Sequence, residues 1–117
     1  MMPPRLLLVD DDAAFREQLA GLLPALVPEV EIVATVHDGH EAVAAAMRHS
    51  PSVVLMDYAM PGPNGGHAAA VIRQALPDAR IVILSGLDPK ELSGLPGGVT
   101  VVRKGAGMEQ ALADAIS

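Results

Sequence analysis

The stretch Val53-Val54-Leu55-Met56-Asp57 places four apolar residues directly before a carboxylate, and the turn-rich residues 58–65 follow it. A short, continuous apolar run of this kind is typical of a strand covered on both faces of a parallel sheet. We therefore predict a strand over residues 53–56. Asp57 then lies at the exposed end of that strand, where a carboxylate contributes little to packing, and it is a candidate functional residue.

The same pattern occurs near the start of the chain, where Leu6-Leu7-Leu8-Val9 is followed by Asp10, Asp11 and Asp12. Short apolar runs alternate with longer amphipathic segments along the rest of the sequence, which indicates strands alternating with helices. The predicted strands are Arg5–Val9, Glu31–Val36, Val53–Met56, Ile81–Leu84 and Val99–Val102, and the predicted helices are Ala13–Leu23, Glu41–His49, Gly66–Leu76 and Met108–Ile116.

Proline and glycine residues refine this arrangement. Pro24 and Pro28 indicate a boundary or kink after the first helix, and Pro77 indicates one after the third. Asp88-Pro89 can start a helix that Ser93-Gly94 soon ends, so we expect an abbreviated fourth helix. The predicted fold class is α/β: a doubly wound, five-stranded parallel sheet in the flavodoxin-like order 2-1-3-4-5, with a shortened fourth helix.

The composition limits the classes of protein to which the chain can belong. Its 117 residues are enough for one domain with a sizeable core, and we assign residues 1–117 to a single domain. No apolar run approaches membrane-spanning length, and the first residues do not resemble a secretory signal. The absence of cysteine excludes disulfides and fits a cytoplasmic protein. The net charge of −6 argues against direct nucleic-acid binding by this domain, because such binding requires a basic face.

The acidic residues at two strand ends predict a metal site. In an open α/β sheet, ligands bind beyond the carboxyl ends of the strands, where the strand order reverses. The first and third strands are neighbours there in the predicted order, so Asp10, Asp11 and Asp57 are expected to converge. Crowded carboxylates repel one another unless a cation joins them, and oxygen ligands favour Mg²⁺ over zinc. Asp12 is interpreted instead as a helix N-cap or a solvated residue.

Two further polar residues are predicted at the same edge of the sheet. Ser85 ends the fourth strand and Lys104 follows the fifth. A hydroxyl and an ammonium at these positions can hydrogen-bond and neutralise the oxygens of a phosphoryl group held on Asp57. A serine after a strand is usually a turn residue and a single lysine is usually solvated. Their placement at adjacent strand ends is what favours a functional role.

Taken in order, these motifs resemble the receiver domain of two-component response regulators over essentially the whole chain. The resemblance implies a signal-transduction phosphoprotein that is regulatory and not an enzyme, although it takes part in its own phosphorylation and dephosphorylation. The matching residues are Leu8-Val9-Asp10-Asp11, Asp57 with Met60-Pro61 and Gly65, Ser85-Gly86, and Lys104, together with Asp38-Gly39 and Glu41-Ala42.

The resemblance also implies a role for each site residue. Asp57 would be the phosphoacceptor, and Ser85 and Lys104 would contact the phosphoryl oxygens, with the Ser85 hydroxyl moving toward them on activation. Asp11 and Asp57 would bind Mg²⁺ through their carboxylates and Ala59 through its backbone carbonyl. Asp10 would support the metal through water.

The implied partners are a sensor histidine kinase or a phosphotransfer protein, and a phosphorylation-dependent homodimer is a further option. The chain ends just after its last predicted helix, which leaves two alternatives open. One is a free-standing receiver, and the other is an input domain cut from a longer regulator such as a helix-turn-helix transcription factor.

Three departures from the family pattern fall on the output side of the domain. Val101 occupies the position where many receivers carry an aromatic residue, the interval from Ser85 to Lys104 is short, and Gly105 replaces a common proline. We therefore expect intact phosphorylation chemistry with an altered signalling surface. The corresponding hypothesis is that the state change is transmitted without an aromatic rotamer switch at Val101. A degenerate receiver, acting as a phosphorylation-independent interaction module, remains the alternative.

Other site classes fit less well. A phosphohydrolase resembling the haloacid dehalogenase type requires a second acid two residues after the nucleophile, where this chain has Ala59. A flavodoxin-like nucleotide or flavin binder requires a phosphate-cradling loop after the first strand, and the acids at residues 10–12 would repel that ligand. His37 and His40 are interpreted as surface or turn residues without a suitable third metal ligand beside them. Gly62 is assigned to a turn.

Overall fold

The computed structural model describes residues 2–60 and 65–117, which form five strands and four helices. The strands are β1 Arg5–Val9, β2 Glu31–Val36, β3 Val53–Asp57, β4 Arg80–Ser85 and β5 Thr100–Arg103, and the helices are α1 Ala13–Leu26, α2 Gly39–His49, α3 Gly65–Ala75 and α4 Met108–Ile116. All strand pairs are parallel, and their order is β2-β1-β3-β4-β5. The predicted fold class and strand order are therefore confirmed.

Both faces of the sheet are buried, which explains the uninterrupted apolar runs in the strands. Successive side chains of a strand point to opposite faces. Leu6, Leu8 and Leu55 belong to the core that α1 and α4 cover, whereas Leu7 and Val54 belong to the core that α2 and α3 cover. All five of these side chains are almost completely buried. The rigid centre of the molecule thus holds the ends of β1 and β3 side by side.

Helix α1 extends beyond its predicted end. We expected it to stop at Leu23 because Pro24 follows, but the helix continues through Pro24 to Leu26. Pro24 lies in the last turn, where its missing N–H removes a single helical hydrogen bond. The cost is offset because Leu23 and Val27 are both buried, and the Val27 N–H donates to the Leu23 carbonyl at 2.8 Å.

The segment between β4 and β5 contains a single 3₁₀ turn, Pro89–Glu91. Asp88 caps this turn, because its side chain accepts a hydrogen bond from the Lys90 N–H at 2.9 Å. Gly94 follows with a φ of 74°, a left-handed conformation that a glycine adopts without strain. The abbreviated fourth helix expected from the sequence is therefore reduced to one turn.

Along residues 2–60 and 65–117, no helix combines the length and the apolar character that are needed to cross a membrane. Pro61, which belongs to the motif after Asp57, and Gly62, which we assigned to a turn, lie outside the described residues.

Candidate functional site

The acidic site is assembled by the pairing of β1 with β3. Val9 pairs with Met56 at the ends of these strands, so the next residues, Asp10 and Asp57, come to lie side by side. One carboxylate oxygen from each of Asp10, Asp11 and Asp57 lies within 4.8 Å of the other two. Asp10 and Asp57 are buried, whereas Asp11 is exposed. The predicted convergence of the three acids is therefore present in the structure.

Asp10 is held firmly but keeps one free oxygen. Its Oδ1 accepts a hydrogen bond from the Asp12 N–H at 2.9 Å, and its backbone carbonyl accepts one from Arg16 Nη1 at 2.7 Å. Its Oδ2 is buried and has no hydrogen-bond partner among the described residues. Burial raises the pKa of the Asp10 carboxyl, and the amide of Asp12 and the charge of Lys104 offset only part of this effect. A buried carboxylate oxygen without a donor is suited to a cation.

Asp57 is in a similar electrostatic position. Burial is the main cause that raises the pKa of its carboxyl, and the negative charge of Asp10 adds to it. The charge of Lys104 and the N–H of Ala59 act in the opposite direction. Lys104 Nζ lies 3.6 Å from Asp57 Oδ2, so the ammonium is close to the carboxylate without making a short hydrogen bond.

Lys104 reaches the site because β5 pairs with β4. Ser85 is paired with Arg103, and the Lys104 N–H donates to the Ser85 carbonyl at 2.8 Å. The Lys104 ammonium also lies over the ring of Phe15, 4.6 Å from the ring centroid. This contact was not predicted, because the spacing of Phe15 in the sequence indicates only a core position of α1.

Ser85 is buried at the end of β4, as predicted. Its hydroxyl oxygen accepts a hydrogen bond from the Leu87 N–H at 3.0 Å. The hydroxyl is therefore engaged with the start of the segment that leads to β5. Val101 pairs with Ile83 and packs partly buried against the core under α2 and α3.

Tyr58, which follows Asp57, and Gly65, at the start of α3, make contacts that the sequence did not predict. A Cβ on Gly65 would lie 2.5 Å from the Asp57 carbonyl oxygen and 2.9 Å from Tyr58 Cα, so only glycine fits there. The Gly65 N–H donates to the Tyr58 carbonyl at 2.9 Å. The start of α3 is therefore seated directly on the backbone that follows the acidic site. The hydroxyl of Tyr58 in turn hydrogen-bonds the backbone of Ser93.

The structure also settles the interpretations of two other polar groups. Asp12 is the N-cap of α1, because its Oδ1 accepts from the Phe15 N–H at 3.1 Å, which confirms that assignment. His37 is exposed, as its interpretation as a surface residue implies, but carboxylates do lie beside it: its two ring nitrogens are 3.3 Å from oxygens of Asp38 and Glu41. These three residues, without His40, form a group that could hold a metal ion. Helix α2 begins at Gly39, which brings Glu41 into its first turn. The Glu41 carboxylate there accepts from the N–H of His37, the residue before the N-cap Asp38.

A family model described as the response regulator receiver domain matches residues 6–94. This chain belongs to the receiver domain family of response regulators. Asp10, Asp11, Asp57 and Ser85 fall within the matched residues, and Lys104 lies beyond them. Receiver domains are regulatory modules of two-component systems, and in general they interact with histidine kinases or phosphotransfer proteins. They bind Mg²⁺ at an acidic pocket in general, and this receiver has such a cluster of aspartates.

The curated relatives that this receiver matches carry names for different activities. The transcriptional regulatory protein DegU of Brevibacillus brevis is 38% identical over 81 residues, which is 69% of this receiver and 34% of DegU. A protein-glutamate methylesterase/protein-glutamine glutaminase of Geobacter metallireducens is 42% identical over 89 residues, 76% of this receiver and 25% of that protein. The receiver thus matches between a quarter and about a third of the length of these relatives.

Among solved structures, similarity extends over the whole fold. The CheX-CheY-BeF₃-Mg²⁺ complex from Borrelia burgdorferi contains a chain that superposes with a TM-score of 0.81 at 25% identity. The alignment covers 95% of this receiver and 85% of that chain. The alignment therefore extends beyond the residues that the family model matches.

Proposed function

We propose that this receiver accepts a phosphoryl group on Asp57 in a reaction that depends on Mg²⁺, and that its domain spans residues 1–117. The main support is the convergence of Asp10, Asp11 and Asp57 within 4.8 Å, with the ammonium of Lys104 3.6 Å from Asp57 Oδ2. Three carboxylates and one ammonium at the carboxyl ends of parallel strands provide both a cation site and an anion partner.

The donor set fits Mg²⁺. The buried Asp10 Oδ2 lacks a hydrogen-bond partner among the described residues, and burial raises the pKa of both Asp10 and Asp57. We assign Asp11 and Asp57 as carboxylate ligands, the Ala59 carbonyl as a backbone ligand and Asp10 as a support through water. A bound Mg²⁺ would offset the negative charge of the acids and so permit a phosphoryl group to approach.

The reaction assigned to the chain's own residues is a displacement at phosphorus. A carboxylate oxygen of Asp57 attacks the phosphorus atom of a phosphohistidine or of a small acyl phosphate, and the bond from phosphorus to the donor breaks. The product is an acyl phosphate on Asp57. The Lys104 ammonium neutralises the oxygens of the transferred group, and the Ser85 hydroxyl can hydrogen-bond them.

The Ser85 hydroxyl is suited to couple phosphorylation of Asp57 to the segment between β4 and β5. It now accepts from the Leu87 N–H at 3.0 Å. A Ser85 hydroxyl that turns toward a phosphoryl oxygen gives up this hydrogen bond, and the start of the segment before β5 is then free to rearrange. This rearrangement does not require an aromatic side chain at Val101.

The remaining assignments rest on the family. We propose a sensor histidine kinase or a phosphotransfer protein as the specific donor, a cytoplasmic location, no direct contact with nucleic acid or membrane, and no enzymatic output of the receiver's own. The two relatives carry different names, a transcriptional regulatory protein and a protein-glutamate methylesterase, so they do not point to one common target. A phosphorylation-dependent homodimer is tested by measuring mass in solution before and after phosphorylation.

The deciding experiment is incubation with Mg²⁺ and acetyl phosphate, followed by intact-mass measurement. We expect one added phosphoryl group on the wild-type chain and none on Asp57→Asn. The matched control is Asp78→Asn, because Asp78 is an exposed aspartate that precedes β4 at the opposite edge of the sheet. An unmodified wild-type chain would refute the phosphoacceptor assignment and favour the interaction-module alternative.

A further inference from the structure

We propose that Phe15 is a positioning residue for phosphoryl transfer: its ring holds the Lys104 ammonium beside Asp57 before the phosphoryl group arrives. This inference rests on the proposed function, because it assigns Lys104 the role of neutralising the transferred group. It adds a residue that the acidic motif, the family motifs and the sequence periodicity do not identify as part of the site.

The geometry places the ammonium between two partners. Lys104 Nζ lies 4.6 Å from the centroid of the Phe15 ring and 3.6 Å from Asp57 Oδ2. The first distance is within the range of a cation–π contact, in which the negative face of the ring attracts the cation. The second is longer than a hydrogen bond, so the carboxylate attracts the ammonium without fixing its direction. The ring therefore supplies a contact that the carboxylate does not.

Lys104 needs such a contact because its side chain is flexible and partly solvated. The side chain is 32% exposed, and a lysine ammonium is a strongly hydrated charge on four rotatable bonds. Asp10 also attracts the ammonium, since the charge of Lys104 lowers the Asp10 pKa. Attraction to Asp10 and to Asp57 alone does not fix the ammonium at one position between them. The Phe15 ring favours the position that is also close to Asp57.

The ring itself is held in place by the first turn of α1. The Phe15 N–H donates to the capping carboxylate of Asp12, and the side chain packs against the core under α1 and α4. The next residue, Arg16, donates to the Asp10 carbonyl at 2.7 Å. One helical turn thus fixes the ring beneath Lys104 and the backbone of Asp10 at the same time.

The chain allows an unusually clean test, because Phe15 is its only phenylalanine. Expression with 4-fluoro-, 3,5-difluoro- or 3,4,5-trifluorophenylalanine modifies this one ring, weakens its negative face stepwise and leaves its shape nearly unchanged. We expect the rate constant for phosphorylation by acetyl phosphate at saturating Mg²⁺ to fall stepwise along this series. The total decrease should be about 2- to 5-fold, the range of a partly exposed cation–π contact. The folding equilibrium constant should fall by no more than the same 2- to 5-fold along the series, and it should not change in the Lys104→Gln background.

The same series in the Lys104→Gln background tests whether the ring acts through the ammonium. Without the cation, fluorination should no longer change the rate constant. A flat series in the wild-type background, or an equal slope in both backgrounds, would show that Phe15 only packs and would overturn the positioning role. The proposed function is tested by a different result: it is refuted if the wild-type chain with ordinary phenylalanine forms no phosphoryl adduct.

Discussion

The Tyr58 hydroxyl is hydrogen-bonded to both backbone groups of Ser93: it donates to the carbonyl at 2.9 Å and accepts from the N–H at 3.1 Å. Tyr58 directly follows Asp57 at the end of β3. Ser93 lies in the segment between β4 and β5, just after the 3₁₀ turn Pro89–Glu91. A side chain next to the proposed acceptor therefore ties down the segment in which this receiver has only a single turn.

Replacement of Tyr58 by phenylalanine should loosen that segment and leave phosphoryl acceptance intact. The ring remains, but both hydrogen bonds to Ser93 are lost, each of which is worth about 1 kcal/mol. We expect the Ser93 amide to exchange with solvent about five times faster or more. Hydrogen exchange followed by NMR measures this change, with the Lys90 amide as internal control, because Asp88 caps it independently. An unchanged Ser93 amide would show that other contacts hold the segment.

Replacement of Asp10 by asparagine should stabilise the metal-free protein near neutral pH. Burial raises the Asp10 pKa above its ordinary value of 3.8, so the folded state binds this proton more tightly than the unfolded state. The stability that the proton contributes is fully present below the unfolded pKa and is lost as the pH rises through the folded pKa. Asparagine avoids that loss, because it keeps the acceptor for the Asp12 N–H and carries no charge.

Chemical denaturation across the pH range checks this sign. The difference in free energy of unfolding between Asp10→Asn and the wild type should increase in favour of the variant as the pH rises from about 4 toward neutrality. A variant that is less stable than the wild type in the presence of a chelator would contradict the raised pKa.

Addition of Mg²⁺ should make the wild type more stable than Asp10→Asn, the reverse of the order expected without metal. A cation that binds only the folded state stabilises it by mass action. We expect Mg²⁺ to raise the melting temperature of the wild type and to have a much smaller effect on Asp11→Asn. A matched variant is Asp114→Asn, in which the exposed residue on α4 loses its charge but keeps an oxygen that can accept from Gln110, and it should respond as the wild type does. Equal shifts in all three proteins would indicate non-specific ion effects.

Replacement of Gly65 by alanine should destabilise the domain by about 1–3 kcal/mol or more, because the new Cβ would lie 2.5 Å from the Asp57 carbonyl oxygen. Gly21 is the matched control: it is exposed within α1, and a Cβ added there would have no heavy atom of another element within 4 Å. Gly21→Ala should stabilise the protein by about 0.5–1 kcal/mol through helix propensity. Urea denaturation of both variants provides the comparison. A neutral Gly65→Ala would show that α3 can shift away from β3.

The strand ends were predictable from the sequence because each depends on local information. A buried parallel strand is a continuous apolar run, so the first polar residue after the run marks its end in the sequence, as at Asp10 and Asp57. The strand order then brings those two residues together without any side-chain detail. The extension of α1 through Pro24 was not predictable in this way, because burial of Leu23 and Val27 offsets the lost hydrogen bond.

The contacts of the two aromatic residues were also beyond the sequence. Phe15 lies 89 positions before Lys104, and Tyr58 lies 35 positions before Ser93. Contacts of this range depend on how helices and loops dock on the sheet, and no periodicity encodes them. The sequence therefore identified the charged groups of the site but not the residues that hold them and connect them to their surroundings.

The core of this protein is aliphatic, and its aromatic side chains are one phenylalanine and one tyrosine, with no tryptophan. Phe15 lies under Lys104, and Tyr58 follows Asp57. Ultraviolet absorption and fluorescence from these two rings therefore arise entirely beside the acidic site, without background from the interior. The native chain therefore carries optical probes on the residues that adjoin Asp57 and Lys104, without a label.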